Sequence, residues 1–231
     1  MSWLSEAVHQ ISWSSAAGVL FGAVISATVS FVLQRSSFKE ARQQKEKDRR
    51  EVRKAQALSL VFKMVRISSD LHNLGKAVGE CMERAKKENR EGMLFQFVPP
   101  TIPLPDQVRF SPDEMAWVLS VDNNLFNEMG PLDELHTSTV AIFDLYNTKR
   151  DKLLERLGAQ MEGTIGTTFL TPEQKKWFDP RAVELDQLVE VMIQRSQRDS
   201  KECWVAFDNL TAVVSKEFSM KLRFDKKPGV P

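Results

Sequence analysis

Three histidines and two cysteines bound the chemistry this chain could perform. They are His9, His72 and His136, with Cys81 and Cys203. His136 follows Asp133 by three residues, which puts both side chains on one helix face. His72 stands two residues after Asp70. A carboxylate-bridged di-metal site in a helical bundle draws on two Glu-x-x-His pairs and two further glutamates. Here there is one Asp-x-x-His, and His72 lacks the spacing. Asp133, His136 and His72 therefore read as surface or partly buried polar residues, and no metal is expected. The cysteines have no paired spacing, which fits a reducing compartment and supplies no disulfide or metal framework. The stretch GTIGTTFL at 163–170 has the glycine and threonine of a phosphate loop. It lacks the closing Gly-Lys-Ser/Thr and no strand precedes it, so it reads as an ordinary loop. No nucleophile-elbow sequence occurs. The expectation is a protein that is not an enzyme and carries no cofactor.

The stronger signal is physical. From Ile11 to Leu33 the chain holds 23 residues without Asp, Glu, Lys, Arg or His. At about 1.5 Å per residue they make roughly 35 Å of helix, enough for a hydrocarbon core of about 30 Å. Residues 11–34 are therefore expected to be a transmembrane helix. Trp3 and Trp13 lie on one side of it, as anchors in the headgroup layer. A cleaved signal peptide fits poorly, because no Lys or Arg precedes Ile11 and no A-x-A pattern follows.

Charge sets the expected orientation. Residues 1–34 contain no Lys or Arg, whereas residues 35–54 contain nine, interleaved with Glu40, Glu46, Asp48 and Glu51 for a net of +5. The positive-inside rule puts residues 1–10 outside and the rest of the chain in the cytoplasm, anchored in the cell (inner) membrane. Within the basic juxtamembrane helix, 35–56, the residues expected to contact anionic lipid headgroups are Arg35, Lys39, Arg42, Lys45, Arg49 and Arg50. The chain as a whole has a formal net charge of +1, which argues against a nucleic-acid partner.

One face of the expected span is small. Gly18, Gly22, Ser26 and Ser30 recur every four residues, with Ala23 and Ala27 beside them. Small residues at this spacing let two helix backbones approach closely, and Ser hydroxyls can bond across the contact. The face predicts self-association into a homo-oligomer, with Leu20, Phe21, Val24 and Val32 turned to lipid.

These residues must be carried by long helices. Ser36 to Asn89 reads as one, with Ala57, Leu60, Met64, Ile67, Leu71, Leu74, Val78, Cys81 and Ala85 alternating at three and four. Leu58, Val61, Phe62 and Val65 widen that face beyond a two-stranded seam, which predicts a bundle core. Residues 90–110 break the pattern with Pro99, Pro100, Pro103 and Pro105 yet stay apolar, so they are expected to cross the bundle as packed extended chain.

Ser111-Pro112-Asp113-Glu114 is a helix start with a capping box. Its helix runs to Met129, with a bend expected near 122–124. Gly130-Pro131 opens another helix reaching about Met161, with the charged run Lys149 to Arg156 facing solvent. Thr171-Pro172-Glu173-Gln174 is a second capping box. Asp179-Pro180 reads as a further start, opening a last helix from about Pro180 to Met220. The seam of that helix turns polar between Arg195 and Glu202, so that part either projects beyond the core or forms a polar layer. Residues 221–231 are expected to be a disordered tail.

The expected fold class is all-α: a single N-terminal transmembrane helix continuing into a cytoplasmic bundle of long helices, 57–220. The expected function is that of a membrane-anchored, self-associating scaffold or signal relay. Its partners would be the lipid bilayer, anionic headgroups, further copies of itself and a protein of unspecified identity. The alternative is a membrane effector, toxin-like or part of a phage-defence or stress system, acting through assembly of its span.

Overall fold

A computed structural model describes residues 3–101, 103–157, 161–162, 165–166 and 170–224, the side chains of 3–25, 27, 161–162 and 165–166 excepted. The chain is helical, with α1 Trp3–Lys87, α2 Pro112–Val121, α3 Asn123–Met129, α4 Leu132–Leu157 and α5 Pro172–Phe218. A single turn of 3-10 helix, Leu94–Gln96, interrupts the Pro-rich segment. Met161–Glu162 (β1) and Ile165–Gly166 (β2) form a two-residue antiparallel pair. Two compact units divide the chain, Met1–Arg53 and Lys54–Pro231.

The described part of the first unit is helix alone. It belongs to α1, which runs without interruption from Trp3 because no proline or helix stop occurs before Asn89. Asn89 takes a left-handed conformation (φ 48°), and the Arg90 N–H closes back on the Ala85 carbonyl at 3.0 Å. Asparagine tolerates this region better than most residues, so it ends the helix cheaply. Among the described residues no helix is long and apolar enough to cross a membrane. The described residues thus give the transmembrane expectation no support of their own. For most of 11–34 only the backbone is described, side chains being described there for Ser26 and 28–34 alone.

The second unit packs around two apolar clusters. One joins Ala57 to Leu71 of α1 with α2, α3 and the C-terminal part of α5, including Phe207 and Leu210. The other joins Leu74 and Val78 of α1 with α4, the 3-10 turn and the N-terminal part of α5. The α1 seam is buried at every expected position except Cys81, which is half-exposed. Phe62 departs from the expected face. It is 66% exposed, because the arc of α1 facing the other helices ends at Val61.

The starts of α2, α3 and α5 each have a local chemical cause. Ser111 Oγ accepts from the Glu114 N–H at 3.2 Å, and the Ser111 N–H donates to Glu114 Oε2 at 2.6 Å. Thr171 and Gln174 repeat the arrangement at the start of α5. The expected bend near 122–124 is a full break. Asp122 is extended, and its carboxylate accepts from the N–H groups of Asn124 and Leu125, which starts α3.

Several boundaries differ from expectation. Pro180 does not open a helix but lies inside α5. A proline there removes one N–H and crowds the preceding turn. Pro180 is exposed, and Arg181 Nη1 donates to the Trp177 carbonyl in the same turn at 2.9 Å. Helix α4 stops at Leu157, short of Met161. The run 149–156 is not a solvated face throughout, because Arg150 and Leu153 turn inward and are buried. Any eight-residue run covers two turns of helix, so some of it must face the core. Of the expected tail, 221–224 are held: Leu222 packs on the first apolar cluster and Phe224 meets Phe207 edge-on at 5.1 Å. Residues 225–231 lie outside the described residues.

Glu114 does more than cap α2. Ser59 Oγ donates to it at 2.7 Å and Lys63 Nζ at 2.7 Å, tying α2 to α1. Burial pushes its carboxyl upward. The hydrogen bonds from Lys63, Ser111 and Ser59 and the Lys63 charge together outweigh that and hold it below the usual range. A lowered folded-state value means the stabilisation is complete above the unfolded value of about 4.3 and is lost as pH falls through the folded value. Glu114→Gln is expected to cost about 1–2 kcal/mol at pH 7. The difference from wild type should shrink below about pH 4. Urea midpoints at neutral and acid pH check this; a gap that does not depend on pH would contradict it.

Candidate functional site

In the first unit the candidate surface is the basic part of α1. Arg35, Lys39, Arg42, Lys45, Arg49 and Arg50 are all exposed. With 3.6 residues per turn they fall within an arc of about 140°, so one face of the helix carries all six. Phe31 and Phe38 lie on the same side, 65% and 61% exposed, and line a shallow groove with Gln34, Arg35, Lys39 and Arg42. Two of the four interleaved acids bond to neutral neighbours. Ser36 Oγ donates to Glu40 at 3.4 Å, and Gln44 Nε2 donates to Asp48 at 2.8 Å. Among the described residues none of the six cations is in an ion pair. A face of unpaired cations around exposed aromatic rings suits an anionic surface with an apolar interior.

Of the expected self-association face, Ser26 and Ser30 are exposed. Gly18, Gly22, Ala23 and Ala27, and the anchors Trp3 and Trp13, have side-chain positions outside the described residues. The loop 163–170 likewise lies mostly outside them, apart from β2 and Leu170.

In the second unit a polar layer sits between the two apolar clusters. On α1 it contains the buried Ser68 and the half-buried Asp70. On α4 it contains His136 and Thr139, and on α5 Ser196, Asp199 and Ser200, all buried. The polar stretch of the α5 seam is therefore a layer inside the bundle. His136 Nε2 lies 3.2 Å from Asp70 Oδ2, and Thr139 Oγ1 donates to Asp199 Oδ2 at 2.9 Å. Arg198 binds Asp199 Oδ1 through Nε and Nη2, at 3.0 and 2.9 Å. These bonds join α1 to α4 and α4 to α5, so the layer ties all three helices together.

Within the layer His136, Thr139 and Asp199 are closed off from solvent, and Asp70 is partly exposed. Asp133 does not join His136. It accepts from the Phe110 N–H at 3.2 Å and faces Arg109. Among the described residues no three His, Cys, Asp or Glu side chains gather as metal ligands. Asp70, His136 and the buried Ser68 have the residue types of a hydrolytic triad. However, His136 and Ser68 are both 0% exposed, and no hydrogen bond joins the hydroxyl to the ring. The cysteines are poor nucleophiles. Burial, aided by Asp199 and Glu202, pushes the Cys203 thiol up to about 12, and burial raises that of Cys81 against the opposing charge of Arg84.

Arg66 stands six residues before His72, so the chain does contain one Arg–His pair at the spacing of helical ribonucleases. On α1 six residues turn the two side chains about 120° from each other. Arg66 is also engaged, at 2.9 Å from Asp106 and 3.9 Å from Asp70. The pair forms no joint site. Comparison with protein-family models, curated proteins and solved structures finds no match.

Proposed function

We propose that this chain is a single-pass membrane-anchored protein that self-associates and acts as a scaffold or signal relay at the cytoplasmic face, with its N-terminus outside. One observation carries the reading. The charge-free stretch Ile11 to Leu33 passes, within one helix, into a face of exposed and unpaired cations. An apolar segment of that length is stable as helix inside a bilayer, where its backbone bonds are all internal. The cations beyond it gain about 1 kcal/mol each near an anionic surface.

Membrane fractionation tests the anchor. Wild-type protein is expected in the carbonate-resistant membrane fraction. An Arg at the centre of a membrane helix costs about 2.5–3.5 kcal/mol, so Phe21→Arg with Val24→Arg should release the protein to the soluble fraction. Wild type found in the soluble fraction would sink the reading. Gly18→Leu and Gly22→Leu should lower the oligomer size in detergent, and an unchanged size would remove the span contact. Growth arrest on expression, relieved by Gly22→Leu, would favour the effector reading instead.

A further inference from the structure

We propose that a cleft between α4 and α5 binds a single phosphate group carried as a phosphomonoester. It is lined by Lys149, Lys152, Leu153, Trp177, Arg181, Glu184 and Leu185 and holds about 150 Å³. The charge around it is out of balance. Lys149 pairs with Glu184 at 2.7 Å. Among the described residues Lys152, Arg156 and Arg181 are in no ion pair.

The two guanidiniums are nevertheless gathered. Arg156 lies 4.3 Å and Arg181 4.4 Å from the centre of the Trp177 ring. An indole face attracts a guanidinium and leaves its N–H edges to an oxygen acceptor; Arg181 uses Nη1 on the Trp177 carbonyl and keeps its other N–H groups. Trp177 thus holds two unpaired cations against its ring: Arg181, which lines the cleft with Lys152, and Arg156, which adjoins the cleft through Trp177. Like charges repel, and a bound anion of charge near −2 offsets that repulsion. Guanidinium edges match phosphate oxygens in pairs.

Size narrows the class. Sites for drug-sized ligands run from about 300 Å³ upward, and a water fills about 30 Å³. A cleft of 150 Å³ matches a phosphate and a short stem in size. Leu153 and Leu185 supply an apolar wall for that stem. The free source is a small phosphomonoester. The lipid source is a phosphatidic-acid headgroup. Both present the same dianion.

The test uses the full chain purified in detergent, followed by tryptophan fluorescence. The probes are inorganic phosphate, glycerol phosphate, dihexanoyl phosphatidic acid below its micelle concentration, and sulfate at matched ionic strength. Saturable changes with the phosphates are expected, and sulfate, a tetrahedral dianion of similar size, should compete for the same site. Lys152→Glu and Arg156→Ala, both at exposed positions, should each weaken binding at least tenfold with an unchanged melting temperature. Equal affinity for the soluble and lipid phosphates identifies a site for the phosphate group itself. Preference for the lipid assigns the headgroup as the source. No saturable change with any phosphate, or full binding by both variants, would overturn the proposal.

Discussion

Tyr146→Ala is expected to lower the unfolding free energy by about 3–5 kcal/mol, the range for deleting a large buried aromatic side chain. Tyr146 is fully buried on α4, in the second apolar cluster. Its ring fills core volume, and its hydroxyl holds the Pro-rich crossing. The hydroxyl lies 3.2 Å from the Phe95 carbonyl oxygen and closer still to that of Val98. The next residue continues the strap. Asn147 accepts from the Thr101 N–H at 3.1 Å and donates to the Thr101 carbonyl at 2.9 Å. From α5, Asp186 accepts from the Phe95 N–H at 3.0 Å.

Tyr146→Phe separates the two roles of that residue. It keeps the ring and removes the donor, leaving buried carbonyls short of a partner at about 1–3 kcal/mol. Amide hydrogen exchange should then quicken at Phe95 and Thr101 before it does in α4. Uniform acceleration across the bundle, or a Tyr146→Phe variant as stable as wild type, would contradict this account. Burial raises the Tyr146 phenol well above its ordinary value, so no alkaline transition from this group is expected below about pH 10.

Gly75→Leu should cost about 3 kcal/mol, at the upper end of overpacking. A Cβ at Gly75 would lie 2.9 Å from Ser196 Oγ and 3.1 Å from Ser196 Cβ. Ser196 cannot simply swing away. Its hydroxyl donates to the Met192 carbonyl of its own helix at 2.6 Å, and the residue is 1% exposed. The glycine therefore lets α1 and α5 approach closely at the edge of the polar layer. Gly79, one turn further on, has open space where a Cβ would stand, with nothing within 4 Å. Gly79→Ala should accordingly stabilise α1, by up to about 1 kcal/mol of helix propensity. Thermal melts of the two variants decide the point. Equal effects at both positions would show that helix propensity, rather than the approach of α5, governs this stretch.

The two glycines show where sequence reading stops. Both interrupt the same seam four residues apart, and from sequence both suggest close packing or a bend. Only the position of Ser196 separates them. The layer around Asp199 is similar. The polar run on α5 is visible in the sequence, but whether it projects or packs depends on finding Asp70 and His136 on α1 and α4 opposite it. Partners such as Thr139 and Asp199, 60 residues apart, leave no local pattern to read. The clamp on Trp177 is equally hidden. Arg156 lies within a run of charges, and nothing in the spacing reveals that it stacks on a ring from the next helix.

What the sequence determined by itself is local. Helical periods place Ala57 to Val78 and Leu185 to Leu210 in the core, because burying one stripe of each helix is what makes it stable. Ser111 and Thr171 start α2 and α5, because their hydroxyls satisfy N–H groups within the next turn. Tertiary structure decided what depends on distant neighbours. It carried α5 through Pro180, turned Arg150 and Leu153 inward, left Phe62 outside and built one polar layer from three helices. Those outcomes follow from which surfaces meet. A residue type gives its preference for water or core, and only packing decides which of those it receives.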